Sequence, residues 1–470
     1  MSAGPAGGFV SRLRTGAWHG ERTIDIEFPA GWEVAEHWPR TPAPLDEESI
    51  RERVLRPIGQ PPLHQACRGK KRPVVIVDDL NRPTPAWRVM PYLLEELRRG
   101  GIEPAAVTIV MATGTHGAPR PGDLEKKVGP QAAAGCRLEI HDSSRSGRRL
   151  GTTSYGTPVV VNRTVAASDF LIGVGGIYPN HTAGFGGGAK LALGVLTTRS
   201  IARLHYRHES MGWGIVDGPN HFRRDLEAIA QLIGLNTTLS LQVDPRGEIV
   251  RLACGDHLQY FPEEVRFARE TFAAPPPGEA DVLVANAFPN DMSLTFARMK
   301  GTAVFAHGRP AASRIVIAAL TEGGGHHGLF PVVNVPRFYG QLDLARRMAV
   351  MDPGQIAAGV ARKVWRKAFG RPRRLEGHPV ETPPGPAELP IWVYCTAAEL
   401  PALPAARGVK VSSSWAEILD AVRLEQGGRR DLRVALYPCT PLQWIDASLA
   451  AGPAARVEQR TRLEGARQGG

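Results

Sequence analysis

Apolar positions in this chain fall into short continuous runs separated by polar turns rich in glycine and proline. The run PVVIV at 73–77 has the form of a parallel strand buried on both faces. It predicts a strand, a polar turn and then a helix over 87–99 that closes at Gly100 and Gly101. The same rhythm predicts strands at 107–111, 137–141, 158–162 and 170–174, with a helix running into Val128 and a further strand ahead of them at 23–28. Strands alternating with helices build a mostly parallel sheet with both faces covered.

A second start follows the proline-rich stretch 273–281, which reads as an extended spacer. Beyond it, strands are expected at 282–285, 314–319, 390–394 and 433–437, with helices around 337–350 and 413–424. The expected fold is therefore α/β, with two Rossmann-like domains of mostly parallel sheet and an interdomain active-site cleft. The first domain spans 1–272. The second, 273–470, closes the site and carries an exposed loop at 371–389 and a flexible tail at 455–470. In such sheets ligands gather at the carboxyl ends of the strands. The loops that begin at Asp78, Ala112 and Gly175 should therefore converge.

Composition narrows the function classes. A length of 470 residues, 43% hydrophobic and 22% charged, is that of an ordinary globular protein. No apolar run approaches the roughly 18 residues needed to span a bilayer, and the N-terminus lacks a signal-peptide core. A cytoplasmic protein without membrane contact is expected. The net charge of +11 is concentrated at 362–374 and 456–467, where no aromatic residues interleave in a nucleic-acid motif. A solvated basic face is the expectation, with no nucleic-acid partner. Cys67, Cys136, Cys254, Cys395 and Cys439 are scattered and read as buried thiols. Lysine is scarce among the 57 basic residues: Lys70, Lys71, Lys126, Lys127, Lys190, Lys300, Lys363, Lys367 and Lys410. Arginine cannot supply a nucleophilic amine, so an isolated lysine draws interest.

Candidate chemistry lies in the loops. Asp78-Asp79-Leu80-Asn81-Arg82-Pro83-Thr84-Pro85 places a guanidinium at a strand end, where it can grip a carboxylate or phosphate, or brace the turn through an aspartate. Ala112-Thr113-Gly114-Thr115-His116-Gly117 offers an imidazole as a general base among small residues. Gly175 to Lys190, dense in glycine, resembles an anion cradle but not a Walker motif, because Leu191 follows Lys190. His205 and His208, three apart on an expected helix at 198–208, share a face. In the second domain, Phe288-Pro289-Asn290-Asp291 and the Gly323–Gly328 turn with His326 and His327 also follow strands; solvated imidazoles suit that turn better than a metal site.

Taken in order, D-x-x-R-P-x-P (79–85), A-T-G-T-H (112–116), A-G-F-x-G-G-x-K (183–190) and the downstream His205 resemble the nickel-pincer lactate racemase family across roughly 20–445. The resemblance implies a 2-hydroxy acid racemase or epimerase that inverts the α-carbon by hydride transfer, with a histidine base. It implies nickel held in a pyridinium mononucleotide with sulfur donors, attached covalently through Lys190, with His205 on the metal. Asp79 and Gly186, Gly187 and Gly188 would line the cofactor. Arg82 and Lys300 would hold the substrate carboxylate, and His116 would be one of two catalytic histidines. Proteins that make and insert the cofactor are the implied partners, and the protein would be a monomer or homodimer. The family's second histidine directly follows the loop proline, whereas here Asn180 holds that place and His181 comes next. Ala297 likewise stands where the family has glutamine. Two other readings stay open: a non-catalytic carrier of the cofactor, and a metal-free enzyme binding a phosphosugar or nucleotide.

Overall fold

A computed structural model describes residues 8–216, 218–325, 327, 390–401, 403 and 408–450. The chain forms two compact units, one of 42–268 with 324–381 and one of 1–41, 269–323 and 382–470.

The first unit is built on a six-stranded sheet in the order Ile249–Gly255, Leu235–Val243, Phe170–Gly176, Pro73–Asp78, Thr108–Ala112, Arg137–Ile140. All neighbours are parallel except the first pair. The central runs divide by the two-residue period of a strand. Val75, Val77, Ile109, Met111, Ile172 and Val174 pack into a core with the helix Met90–Arg99. Val74, Ile76, Val110 and Leu171 join a separate core with the helices Thr198–Arg207 and His221–Ile233. Chain order reverses beside Pro73–Asp78: the next strand lies on one side and Phe170–Gly176 on the other. That reversal is where an open α/β sheet presents its ligand crevice.

The second unit carries a wholly parallel sheet in the order Val409–Ser412, Ile391–Cys395, Ser313–Ala318, Val282–Asn286, Arg433–Tyr437, Glu33–Glu36. The hairpin of Phe9–Thr15 and Arg22–Phe28 packs Leu13, Ile26 and Phe28 into its core, and the helix Trp415–Glu425 adds Ile418 and Val422. Buried Asp291, from the Phe288–Asp291 loop, accepts hydrogen bonds from Thr15 Oγ1 at 3.0 Å, Gly16 N at 2.7 Å and Ala17 N at 3.1 Å. That loop therefore anchors the hairpin.

The mixed α/β fold with mostly parallel sheets is as expected, and several details are not. Residues 1–41, expected with the first domain, belong to the second unit, because Glu33–Glu36 hydrogen-bonds along Arg433–Tyr437 as its edge strand. Four residues of mixed polarity in a proline-rich stretch carry little strand signal. The strand at Pro158–Val161 pairs with Arg148–Thr152 in a separate antiparallel ribbon outside the six-stranded sheet. The expected spacer begins as Ala273–Ala274, a short strand beside Trp444–Ile445. Leu235–Val243 is buried through most of its length yet carries Thr237, Thr238, Ser240 and Gln242, which hid it from an apolar reading. The helix His257–Phe272 satisfies three of these, through Tyr260 OH to Thr238 and Ser240 and through the Glu264 carbonyl to Gln242. The helix at 337–350, the loop at 371–389, the tail at 455–470 and both basic stretches lie outside the described residues. All five cysteines are free thiols. Among the described residues no helix is long and apolar enough to cross a membrane.

Candidate active site

Three loops of the first unit meet at the carboxyl ends of its strands. The loop after Pro73–Asp78 is held from below by Lys127, fully buried on the helix Asp123–Val128. Its ammonium pairs with Asp78 Oδ1 at 2.7 Å and donates to the carbonyls of Asp79 at 3.2 Å and Arg82 at 3.0 Å. Burial lowers the Lys127 pKa, while the Asp78 charge opposes that shift. Asp78 Oδ2 also accepts from Thr84 Oγ1 at 2.7 Å and from Gly176 N at 3.0 Å, tying this loop to the glycine-rich one. Sequence reasoning passed over Lys127; the scarcity of lysine was the one available signal.

Asp79 is thereby turned towards the loop after Thr108–Ala112. His116 Nδ1–H donates to Asp79 Oδ2 at 2.5 Å, and Asn81 Nδ2 donates to the same oxygen at 3.1 Å. Burial alone would raise the Asp79 carboxyl, but His116, Arg82 and Asn81 outweigh it and hold it at about 2. Burial lowers the His116 pKa, against the pull of Asp79 and with the like charges of Arg82 and Lys190. A neutral His116 with its proton on Nδ1 keeps its lone pair on Nε2, which is the form of an oriented general base. Gly114 N donates to Gly194 O at 2.9 Å, and a side chain at Gly194 would meet the Ala112 backbone at 2.8 Å. The loops interlock at that glycine.

The third loop turns twice. Pro179–Asn180 pairs with Gly184–Phe185, then Gly187 and Gly188 take positive φ of 76° and 53° before the 3₁₀ turn Gly188–Val195, which carries Lys190. A Cβ at Gly187 would lie 2.5 Å from Ile177 Cγ1, and one at Gly186 would lie 2.9 Å from the Gly176 carbonyl. Desolvation, with the nearby charges of Arg82 and Arg223, brings the Lys190 amine down to about 7. A large fraction is then the free amine at neutral pH, the form a lysine nucleophile needs. His205, on the helix Thr198–Arg207, donates from Nδ1 to its own helix at Ile201 O, 2.8 Å away. Burial and the Lys190 charge pull it to about 4, so it is a neutral imidazole whose lone pair is on Nε2. That is the protonation state of a metal ligand with its second nitrogen anchored.

The remaining candidates differ. His208 pairs with buried Asp225 at 2.8 Å, and Asp225 also accepts from Thr157. His208 is therefore engaged away from a shared metal with His205. Asn180 Oδ1 accepts from Thr182 N at 3.0 Å, Ala183 N at 3.0 Å and Thr182 Oγ1 at 2.8 Å, so it builds the turn. The His181 ring lies 4.7 Å from that of Trp213, and its carbonyl accepts from Gly212 N at 3.0 Å. His327, read as a solvated imidazole, instead bridges His116 through the backbone with ring centroids 5.2 Å apart. His326 lies outside the described residues. Lys300 is buried on the π-helical turn Ala297–Gly301 of the second unit. Asp79, Arg82, His116, Lys190 and His205 are thus linked through contacts or charge within one unit, and Arg223 joins them. Arg223 had no motif to announce it.

Residues 19–213 match the lactate racemase N-terminal domain family. The lactate racemase of Thermoanaerobacterium thermosaccharolyticum is 28% identical over 299 residues, 61% of this chain and 69% of that protein. The lactate racemase of Lactiplantibacillus plantarum is 25% identical over 299 residues, with the same shares. Among solved structures, the lactate racemase apoprotein from T. thermosaccharolyticum aligns with a TM-score of 0.67 at 20% identity, covering 93% of this chain and 100% of that one. A Thermotoga maritima protein aligns at 0.53 and 16% identity, covering 86% and 100%. At those identities the two structures speak for the fold.

Proposed function

We propose that this chain, which matches the lactate racemase N-terminal domain family over residues 19–213 and resembles two lactate racemases, is a racemase or epimerase of a 2-hydroxy acid that uses a nickel-pincer mononucleotide. The carrying observation is the placement, around one set of strand ends, of a lysine held near pKa 7, a neutral anchored histidine and an aspartate-oriented histidine. The donor set fits the group. An imidazole nitrogen beside a soft sulfur ligand suits nickel, and Lys190 offers an amine for covalent attachment. Lys190 and His205 would hold the group, and Asp79 with the Gly186–Gly188 turn would line its site. When bound, the group would supply a hydride acceptor for the substrate α-carbon.

The protein's own share is proton handling and orientation. His116 Nε2 takes the hydroxyl proton as the α-carbon becomes planar, and Asp79 stabilises the imidazolium that forms. The 2-keto acid so made has two enantiotopic faces, and reduction at the opposite face, with reprotonation of the oxygen from His116, would invert the centre. Arg82, anchored by one nitrogen to the Asn81 carbonyl at 2.7 Å, can pair with the carboxylate and keep the substrate in register through the planar stage. Lys300 enters the proposal from the resemblance alone, and Lys300→Met is expected to raise KM. Turn-building Asn180 and the His181–Trp213 contact favour a second reading, a carrier that holds the cofactor without turnover.

Co-expression with the cofactor-making proteins tests both. The proposal expects bound nickel, a mass adduct absent from Lys190→Ala, and interconversion of enantiomers by chiral chromatography of lactate and larger 2-hydroxy acids. Nickel with no interconversion would favour the carrier. No nickel and no adduct would contradict both.

A further inference from the structure

Arg223 lies on the helix His221–Ile233, its backbone N–H capped by Asn220 Oδ1 at 2.9 Å. Its side chain is almost wholly buried, at 7% exposure, a costly location for a guanidinium. One nitrogen, Nη1, donates to the carbonyls of Phe185 at 3.4 Å and Gly187 at 3.2 Å. The planar group stacks on Phe261 at 3.5 Å, and Nε sits 3.5 Å from Glu227. Nη2 has no hydrogen-bond partner among the described residues. It borders Gly188, where an added Cβ would be 3.1 Å from it.

A second buried donor stands at the same place. His257 is 8% exposed, its Nε2 is also without a partner among the described residues, and its Cβ would be 3.2 Å from a Cβ at Gly188. Burial first, and then the Arg223 charge, depresses its pKa to about 4, so it faces the turn as a neutral ring. The charge balance completes the picture. Lys190 feels Arg82 and Arg223 as like charges, and the opposing carboxylate, Asp79, is committed to His116. Two unpaired buried donors beside a backbone turn with positive φ, in a surplus of cations, call for a compact anion with several acceptor oxygens. A phosphate monoester has that chemistry, and a guanidinium fork matches it.

We propose that Arg223 and His257, with the Gly186–Gly188 turn, seat the phosphate monoester of a mononucleotide. Both residues lie beyond the 19–213 stretch that matches the family. The identity of that mononucleotide as the pincer cofactor rests on the function proposed above; the phosphate seat itself does not.

The test uses the metal-free full-length protein and two probes, nicotinic acid mononucleotide and its riboside, which lacks the phosphate. Calorimetry is expected to show the mononucleotide bound about tenfold to hundredfold more tightly, the scale of hydrogen bonds to a charged group. Arg223→Gln should erase that preference. Arg223→Lys should keep part of it, and His257→Phe should reduce it by about threefold. Thermal unfolding with and without inorganic phosphate runs in parallel, with stabilisation expected in the wild type and in Arg223→Lys. If Arg223→Gln does not fold, Arg223→Lys and His257→Phe decide the matter. Equal affinity for both probes, binding of neither, or a preference unchanged in the folded variants overturns the seat. Phosphate preference without nickel in co-expressed protein would overturn the proposed function and leave the seat standing. Nickel loading without phosphate preference would do the reverse.

Discussion

The glycine turn that ends in Lys190 and the corner at Pro179–Asn180 belong to one loop, yet their polar atoms serve opposite ends. Around the turn, two part-buried imidazoles are each held by a neighbour through Nδ1. His116 is fixed through Nδ1 and His205 through Nδ1, which leaves a lone pair on each Nε2. At the corner, Asn180 gives its oxygen to three donors of its own turn, and His181 lies against Trp213. The contrast teaches that a loop's shape and its chemistry are separable. A side chain that closes a turn can stand where a reacting one is expected.

Lys190→Ala should break the first region outright, removing the mass adduct and reducing conversion to background. In the wild type, attachment should accelerate with pH through about 7, because only the deprotonated amine is nucleophilic. Next in size, His116→Gln should lower kcat by about 10²- to 10⁴-fold with little change in KM. The neutral imidazole is the base and burial lowers its pKa, so kcat should rise with pH on a limb below the usual histidine range and level off above it. Asp79→Asn removes the carboxylate that favours the protonated ring, so that limb should move to still lower pH as kcat falls.

Support for that region can be broken without touching a reacting atom. Lys127→Met strands Asp78 in the interior and should cost about 3–5 kcal/mol of stability, read by denaturant unfolding. The corner should respond least. His181→Phe, at the ring that packs against Trp213, should change kcat by less than about fivefold; a loss of about a hundredfold would show that it serves as the second base. Asn180→Ala should cost about 1–2 kcal/mol of stability through the lost turn bonds, with nearly unchanged kcat.

Much of this frame was legible in sequence, because buried parallel strands such as Val74 to Val77 and Phe170 to Val174 are continuous apolar runs. The loops that follow them could be read for the same reason, and Asp79, Arg82, His116 and Lys190 fall there, with His205 on the helix after the third loop. Leu235–Val243 escaped because a strand whose polar residues are satisfied by Tyr260 and the Glu264 carbonyl lacks an apolar signature. Glu33–Glu36 escaped because its pairing partner is about 400 residues away along the chain. Lys127, Arg223 and His257 act through packing between helices and loops, which no local spacing records. The roles of Asn180 and His181 depend on turn hydrogen bonds and a ring contact, not on their position after a proline.

The most direct test of the central claim is the fate of the α-hydrogen. Cofactor-loaded protein incubated with one enantiomer of 2-deuterated lactate in ordinary water should yield the other enantiomer with deuterium retained, as a hydride carried between faces requires. Product in which the deuterium has been replaced by solvent hydrogen would contradict the account and point to proton abstraction from the α-carbon.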